Sequence, residues 1–118
     1  MDDPIRFVGS QANIVALVRD AYAAGRTVSV VPAGRDKAES LAFFAEILDF
    51  PAYVGHNLDA LFDALRDRVQ RSPHEWELIW DATVELRAND PAAYDGIVTV
   101  LRDLAAEAPT VHATVVSR

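Results

Sequence analysis

Apolar residues recur every three or four positions in several segments of the chain, which is the spacing of the buried face of an amphipathic helix. The predicted helices cover residues 11–24, 36–49, 57–71, 83–88 and a last segment that begins at Asp90. Asp36, Asn57 and Asp90 each precede such a segment and are good N-cap residues, because their side chains accept hydrogen bonds from the first turn. The chain is therefore expected to be rich in well-capped helices.

Three short runs of β-branched or apolar residues lie between or after these helices, at 27–31, 77–80 and 111–116. Strands that alternate with helices are joined by right-handed crossovers and form parallel sheets. We therefore predict an α/β fold with a small parallel sheet of about three strands packed with helices.

Length and composition are those of a single globular unit spanning residues 1–118. The chain has 118 residues, of which 51% are hydrophobic and 25% charged. No apolar run reaches the length of a membrane span, and the N-terminus is acidic where a secretory signal would be basic. The sequence has no cysteine, which excludes disulfides and thiolate chemistry. We expect a cytoplasmic protein that is not bound to a membrane.

The formal net charge of −7 disfavours nucleic acid as a partner, because a phosphate backbone attracts lysine and arginine. An acidic protein attracts basic partners, although many proteins are acidic only for solubility. The arrangement of the charges must therefore decide between these explanations.

Residues 57–71 place apolar side chains on one side of a helix and aspartates on the other. The apolar stripe consists of Leu58, Leu61, Phe62, Leu65 and Val69. Asp59, Asp63 and Asp67 follow one another at four-residue intervals on the exposed side, where like charges repel. Asp59 gains from the helix dipole, and a solvated acidic face is the commoner explanation of such spacing. The alternative is that these unneutralised carboxylates await a cationic partner.

Catalysis and metal binding are the two chemical alternatives to a binding role for this segment. Asp59 and Asp63 share one exposed face, whereas catalytic carboxylate pairs need environments that separate their pKa values. A metal site formed by His56 with these two aspartates lacks a further ligand at a diagnostic spacing. No Ser/His/Asp or phosphate-binding motif accompanies the histidines. We therefore predict no catalytic residues, no metal and no cofactor.

The segment 53–63, which reads YVGHNLDALFD, resembles the signature of the barstar family. That signature is a tyrosine loop with a glycine, followed by Asn-Leu-Asp-Ala-Leu, an aromatic residue and a second aspartate. The order of predicted elements over residues 27–118 also agrees with a barstar-like domain. Residues 1–26 fall outside the resemblance and form an N-terminal extension with an additional helix.

The resemblance implies a protein inhibitor that enters the catalytic cleft of a basic, secreted, guanyl-type ribonuclease and protects its producer. The nuclease would be barnase-like and bound one-to-one, with the acidic helix mimicking RNA phosphate. Asp63 matches the aspartate that takes the place of the scissile phosphate, and Asp59 matches the one that hydrogen-bonds at the cleft. Tyr53 matches the tyrosine that packs on the catalytic histidine. Asp103, on the last helix, matches a position that adds a distal ion pair.

The remaining predicted contact positions are Gly55, His56, Asn57, Phe62 and Asp67. Gly55 and Asn57 match positions that shape the loop, and Phe62 stands where the family usually has tryptophan. His56 replaces an acidic or polar residue, Val54 replaces a frequent aromatic one, and Arg68 stands where a further aromatic residue is expected. These departures leave open a barstar-fold binding module whose partner is another toxin or a regulatory protein.

Overall fold

The computed structural model describes residues 3–118, and within that range it contains four strands and five α-helices. The strands are β1 (Ile5–Val8), β2 (Thr27–Pro32), β3 (Trp76–Asp81) and β4 (Val111–Val116). The helices are α1 (Ile14–Ala23), α2 (Lys37–Ile47), α3 (Leu58–Arg71), α4 (Val84–Asn89) and α5 (Pro91–Glu107), with a 3₁₀ helix at Ala52–His56. The predicted α/β fold with a small parallel sheet is confirmed, but the sheet has four strands where about three were expected.

All four strands run parallel, in the spatial order β1-β4-β3-β2. The chain moves in one direction across the sheet from β2 to β3 to β4, and in the opposite direction from β1 to β2. Because crossovers between parallel strands are right-handed, this reversal places α1 on one face of the sheet and α2 to α5 on the other. The contacts of α1 with β2, and of α5 with β4 and β1, agree with this arrangement.

The main core lies between the sheet and the face that carries α2, α3 and α5. Trp80 of β3 is fully buried there, with its ring centroid 6.1 Å from that of Phe44 and 5.7 Å from that of Tyr94. Its neighbour Ile79 is also fully buried and faces the opposite side, because alternate strand residues point to opposite faces. β3 is thus covered on both faces, as its apolar sequence indicates.

The predicted helix starts are confirmed by their capping bonds. Asp36 accepts a hydrogen bond from the Glu39 amide at 2.9 Å, and Asp90 accepts one from the Ala93 amide at 3.1 Å. Helix α1 begins at residue 14 and is capped by Asn13, so it is shorter than the expected 11–24. Among the helices of residues 3–118, none has both the length and the apolar character needed to cross a bilayer.

β1 lies in the N-terminal extension and is a strand that the sequence pattern does not predict. β1 pairs with the outer edge of β4, with Ile5 opposite Ala113, and Ile5 is buried in the main core. Arg102 of α5 donates two hydrogen bonds to Asp3, at 3.1 and 3.3 Å, and holds the pKa of Asp3 below its ordinary value. Four residues are too few for a periodicity to be recognised, and their partner strand lies more than 100 residues away.

We predict that Ile5→Ala lowers the free energy of unfolding by about 2–4 kcal/mol, because it removes a buried side chain from the core. Val15→Ala in the same extension is the control, since Val15 is 74% exposed and its loss should cost little. Denaturant titration followed by circular dichroism measures both values. Equal stability of the two variants would contradict the placement of β1.

Candidate functional site

Helix α3 is fixed in rotation by two leucines. Leu61 and Leu65 are fully buried in the main core. At about 100° per residue, Asp63 points roughly 180° away from the mean direction of these two side chains. The packing of the core therefore holds the Asp63 carboxylate in solvent.

The carboxylates of α3 differ in their neighbours. Asp59 and Asp63 are exposed, and neither forms an ion pair within the described part of the chain. Asp67 instead lies with its Oδ2 2.9 Å from Nε of Arg71. The expected row of three unneutralised aspartates is thus corrected to two. Arg66, which is three residues from Asp63, pairs with Glu107 of α5.

The segment before α3 places a tyrosine beside these carboxylates. Within the 3₁₀ helix, Val54 is 0% exposed and packs in the core, and its amide donates to the Pro51 carbonyl at 3.0 Å. Successive residues of a 3₁₀ helix point about 120° apart, so a buried Val54 turns its neighbour outward. Tyr53 is accordingly 65% exposed. Val54 replaces the aromatic residue that the resemblance leads us to expect, and here it packs in the core.

Three other predicted site residues shape the junction between loop and helix. Asn57 is the N-cap of α3, because its Oδ1 accepts from the Ala60 amide at 2.7 Å. Gly55 lies against α2, where a Cβ would be 3.6 Å from Cα of Ala42, an ordinary contact distance. His56 is exposed. None of these three lines the two grooves that border α3.

The first groove runs between α3 and α5 and encloses about 630 Å³. It brings together four predicted site residues, Asp59, Phe62, Asp63 and Asp103. Its other lining residues are Leu58, Gly96, Thr99 and Val100. The groove combines an apolar floor with carboxylates from both helices, which suits a long cationic side chain with an apolar stem.

The second groove lies on the opposite side of α3, against the loop that follows α2, and encloses about 580 Å³. Tyr53, Asp63 and Asp67 are the predicted site residues that line it. Arg68 and Arg71 line it as well. Asp63 is shared by both grooves and therefore stands on the crest between them.

Phe62 belongs to the apolar stripe predicted for α3, but it is only partly buried, as are Leu58 and Val69 of the same stripe. The ring packs against the edge of the core and lines the first groove. The Arg66 guanidinium lies 5.9 Å from its centroid. Its position in the helix explains the difference, because the core is centred on Leu61 and Leu65 and leaves Phe62 at the border.

The sequence analysis missed the contribution of α5 to the first groove beyond Asp103. A Cβ at Gly96 would lie 2.6 Å from Cδ1 of Leu58, so the glycine lets α3 approach α5 closely. A glycine in the interior of a predicted helix is a signal for such close packing, because it otherwise weakens the helix. Thr99 and Val100 carry no comparable signal.

The chemistry of this surface is that of hydrogen-bond acceptors. Ionised carboxylates accept charge-assisted hydrogen bonds from arginine, lysine or protonated histidine. Among residues 3–118, no group of three or more metal-ligating side chains is found. The arrangement is suited to binding a basic protein surface.

Comparison with known proteins relates the chain to a protein family. The sequence model of the family described as Barstar (barnase inhibitor) matches residues 30–116. A search of the curated proteins and a search of the solved structures found no significant match. The matched region begins within β2 and excludes β1 and α1.

We predict that Phe62→Ala costs only about 1–2 kcal/mol of stability, because the ring is partly exposed. Phe44→Ala is the matched control, and it should cost about 3–5 kcal/mol because that ring is fully buried. Thermal and urea unfolding of both variants measures the difference. A loss at Phe62 as large as that at Phe44 would contradict its position at the edge of the core.

Proposed function

The chain belongs to the barstar family, and from this membership we propose that it is a protein inhibitor of a microbial guanyl-type ribonuclease. Its acidic helix α3 and the adjoining tyrosine loop would enter the catalytic cleft of a basic nuclease and exclude RNA. The observation that carries the proposal is the pair of exposed carboxylates, Asp59 and Asp63, which lack a cationic partner among residues 3–118, close to the exposed Tyr53.

Asp63 is the proposed mimic of an RNA phosphate. It stands on the crest of the surface, between the two grooves, so a concave cleft reaches it first. Its carboxylate presents only acceptors, as a phosphate oxygen does, and its charge is not satisfied within the protein. Nuclease groups that stabilise a phosphate are cationic donors and therefore match it.

Asp59, Asp103 and Phe62 would support Asp63 from the first groove. The two aspartates line opposite sides of that groove, on α3 and α5. A cationic side chain of the nuclease can lie with its stem on Phe62 and its head between these carboxylates. Asp67 contributes less in this scheme, because Arg71 already neutralises it.

Tyr53 would supply a flat apolar surface from the loop. The aromatic ring is available for stacking on a catalytic imidazole, because it is mostly exposed. Val54 and Asn57 hold the loop from either side, one by core packing and one by capping α3. Little ordering of the loop is then needed upon binding, which favours affinity.

We also propose that the complex is one-to-one, that the protein acts in the cytoplasm and that it protects the producing cell from its own nuclease. No catalytic role is assigned to the carboxylates. A barstar-fold binding module for a non-ribonuclease partner, either another toxin or a regulatory protein, is the second candidate. The observation in its favour is the arginine pair in the second groove, which gives this side of the surface mixed charge.

We predict that Asp63→Asn weakens binding to barnase about 100-fold, because a charged acceptor with two or more charge-assisted bonds is lost. The fold should be unchanged, since the side chain is in solvent. Isothermal titration calorimetry measures the affinity, and circular dichroism checks the fold.

Asp95→Asn is the matched control, because Asp95 is an exposed aspartate of α5 that lines neither groove beside α3. It should bind barnase with the affinity of the unmodified chain. If both variants lost the same affinity for barnase, the effect of Asp63→Asn would come from the change in net charge. That result would contradict the role assigned to Asp63. Failure of the unmodified chain to bind or inhibit basic guanyl-type ribonucleases would favour the second candidate.

A further inference from the structure

Arg68 is a cation held beside the proposed inhibitory surface. Its guanidinium lies 4.5 Å from the ring centroid of Trp76, within the range of a cation–π interaction. Trp76 is itself buried at the start of β3, with its Nε1 donating to Oγ of Ser29 at 3.0 Å. The stack therefore rests on a rigid support, which limits the freedom that Arg68 would lose on binding.

Most arginines of this chain are already neutralised. The sequence contains ten arginines. Seven of them have a carboxylate oxygen within ion-pair distance, namely Arg19, Arg26, Arg35, Arg66, Arg71, Arg102 and Arg118. Arg6, Arg68 and Arg87 have none among residues 3–118. Arg68 is the one of these three that lines a groove together with Tyr53 and Asp63.

Arg87 provides a comparison within the same molecule. Its guanidinium lies 5.1 Å from the ring centroid of Tyr94, so it too is an unpaired arginine stacked on an aromatic ring. It lines a different cavity, with Phe7, Asp95 and Arg102. An arginine stacked on an aromatic ring is therefore not unique to the candidate site. What distinguishes Arg68 from Arg87 is its place in the second groove, beside Tyr53 and Asp63.

An unpaired arginine at this place has a definite consequence for the partner. A cleft that is cationic enough to bind Asp63 would repel a second cation on the same surface. A carboxylate that the partner presents to Arg68 would offset this repulsion. Arg68 lies five positions after Asp63, which is a rise of roughly 7.5 Å along the helix. The two charges are therefore far enough apart to meet different groups of one partner.

We propose that Arg68 is a specificity-determining residue, which receives an aspartate or glutamate side chain from the rim of the ribonuclease whose cationic cleft binds Asp63. The proposal rests on the function inferred above and adds a requirement on the partner. A cognate nuclease has an acidic residue next to its basic cleft, on the side that covers the second groove. A nuclease with a basic residue there is rejected by charge repulsion.

A selection experiment tests this requirement. Catalytically inactive barnase is displayed as a library in which the surface positions bordering its cleft are randomised, and binders are selected with the unmodified chain. Parallel selections use Arg68→Glu and, as the matched control, Arg87→Glu. We expect acidic residues to be enriched at the same rim position by the unmodified chain and by Arg87→Glu, and lysine or arginine to replace them in the Arg68→Glu selection.

Individual clones give the size of the effect. Clones selected by the unmodified chain should bind Arg68→Gln about 5- to 10-fold more weakly, because one charge-assisted contact is lost. The same clones should bind Arg87→Gln with unchanged affinity. Circular dichroism and unfolding curves of the glutamine variants separate lost contacts from lost folding, since glutamine introduces no repulsion against neighbouring carboxylates.

The outcomes separate this proposal from the function on which it rests. One contrary result is a set of clones that bind Asp63→Asn more weakly than the unmodified chain, yet bind Arg68→Gln and Arg68→Glu with unchanged affinity. That result would contradict the role of Arg68 and leave the proposed ribonuclease function intact. Enrichment of the same rim residues in all three selections would also contradict the role of Arg68. If no clone that retains the basic cleft binds the unmodified chain, both the ribonuclease function and the role of Arg68 are contradicted.

Discussion

The packing of Leu61 and Leu65 into the core is the constraint on which the candidate site depends. These two side chains set the rotation of α3 about its axis, and this rotation directs Asp63 away from the protein. Capping by Asn57 fixes where the helix begins. Repulsion between Asp59 and Asp63 costs a few tenths of a kcal/mol, which is small beside the burial of two leucines. The core can therefore hold a charge arrangement that local electrostatics alone would not favour.

Core packing also positions the loop before α3 and the N-terminal extension. Val54 and Tyr53 are neighbours in a short 3₁₀ helix, where successive side chains point in different directions. Because Val54 points into the core, Tyr53 is exposed. On the far edge of the sheet, β1 covers the free side of β4, and Ile5 completes the core there. The family match begins only after this extension. The extension therefore supports the sheet from the edge opposite β2.

The sequence predicted those parts of the structure that depend on local patterns. The cap at Asn57 and the leucine stripe of α3 are local, and both are confirmed. β1 could not be found, because its partner strand is distant in sequence. The partial exposure of Phe62 depends on where the core is centred, which a helical wheel does not show. Pairing of Asp67 with Arg71 is one of several side-chain arrangements that the same spacing allows.

We propose that a nuclease binds to the surface formed by helix α3 and by the 3₁₀ helix that carries Tyr53. Amide chemical-shift mapping of the labelled protein on addition of barnase tests it most directly. The largest shifts are expected on residues 52–68 and on the α5 residues of the first groove, with little change in α1 and β1. Shifts concentrated on α1, or scattered evenly over the sheet and helices, would contradict it.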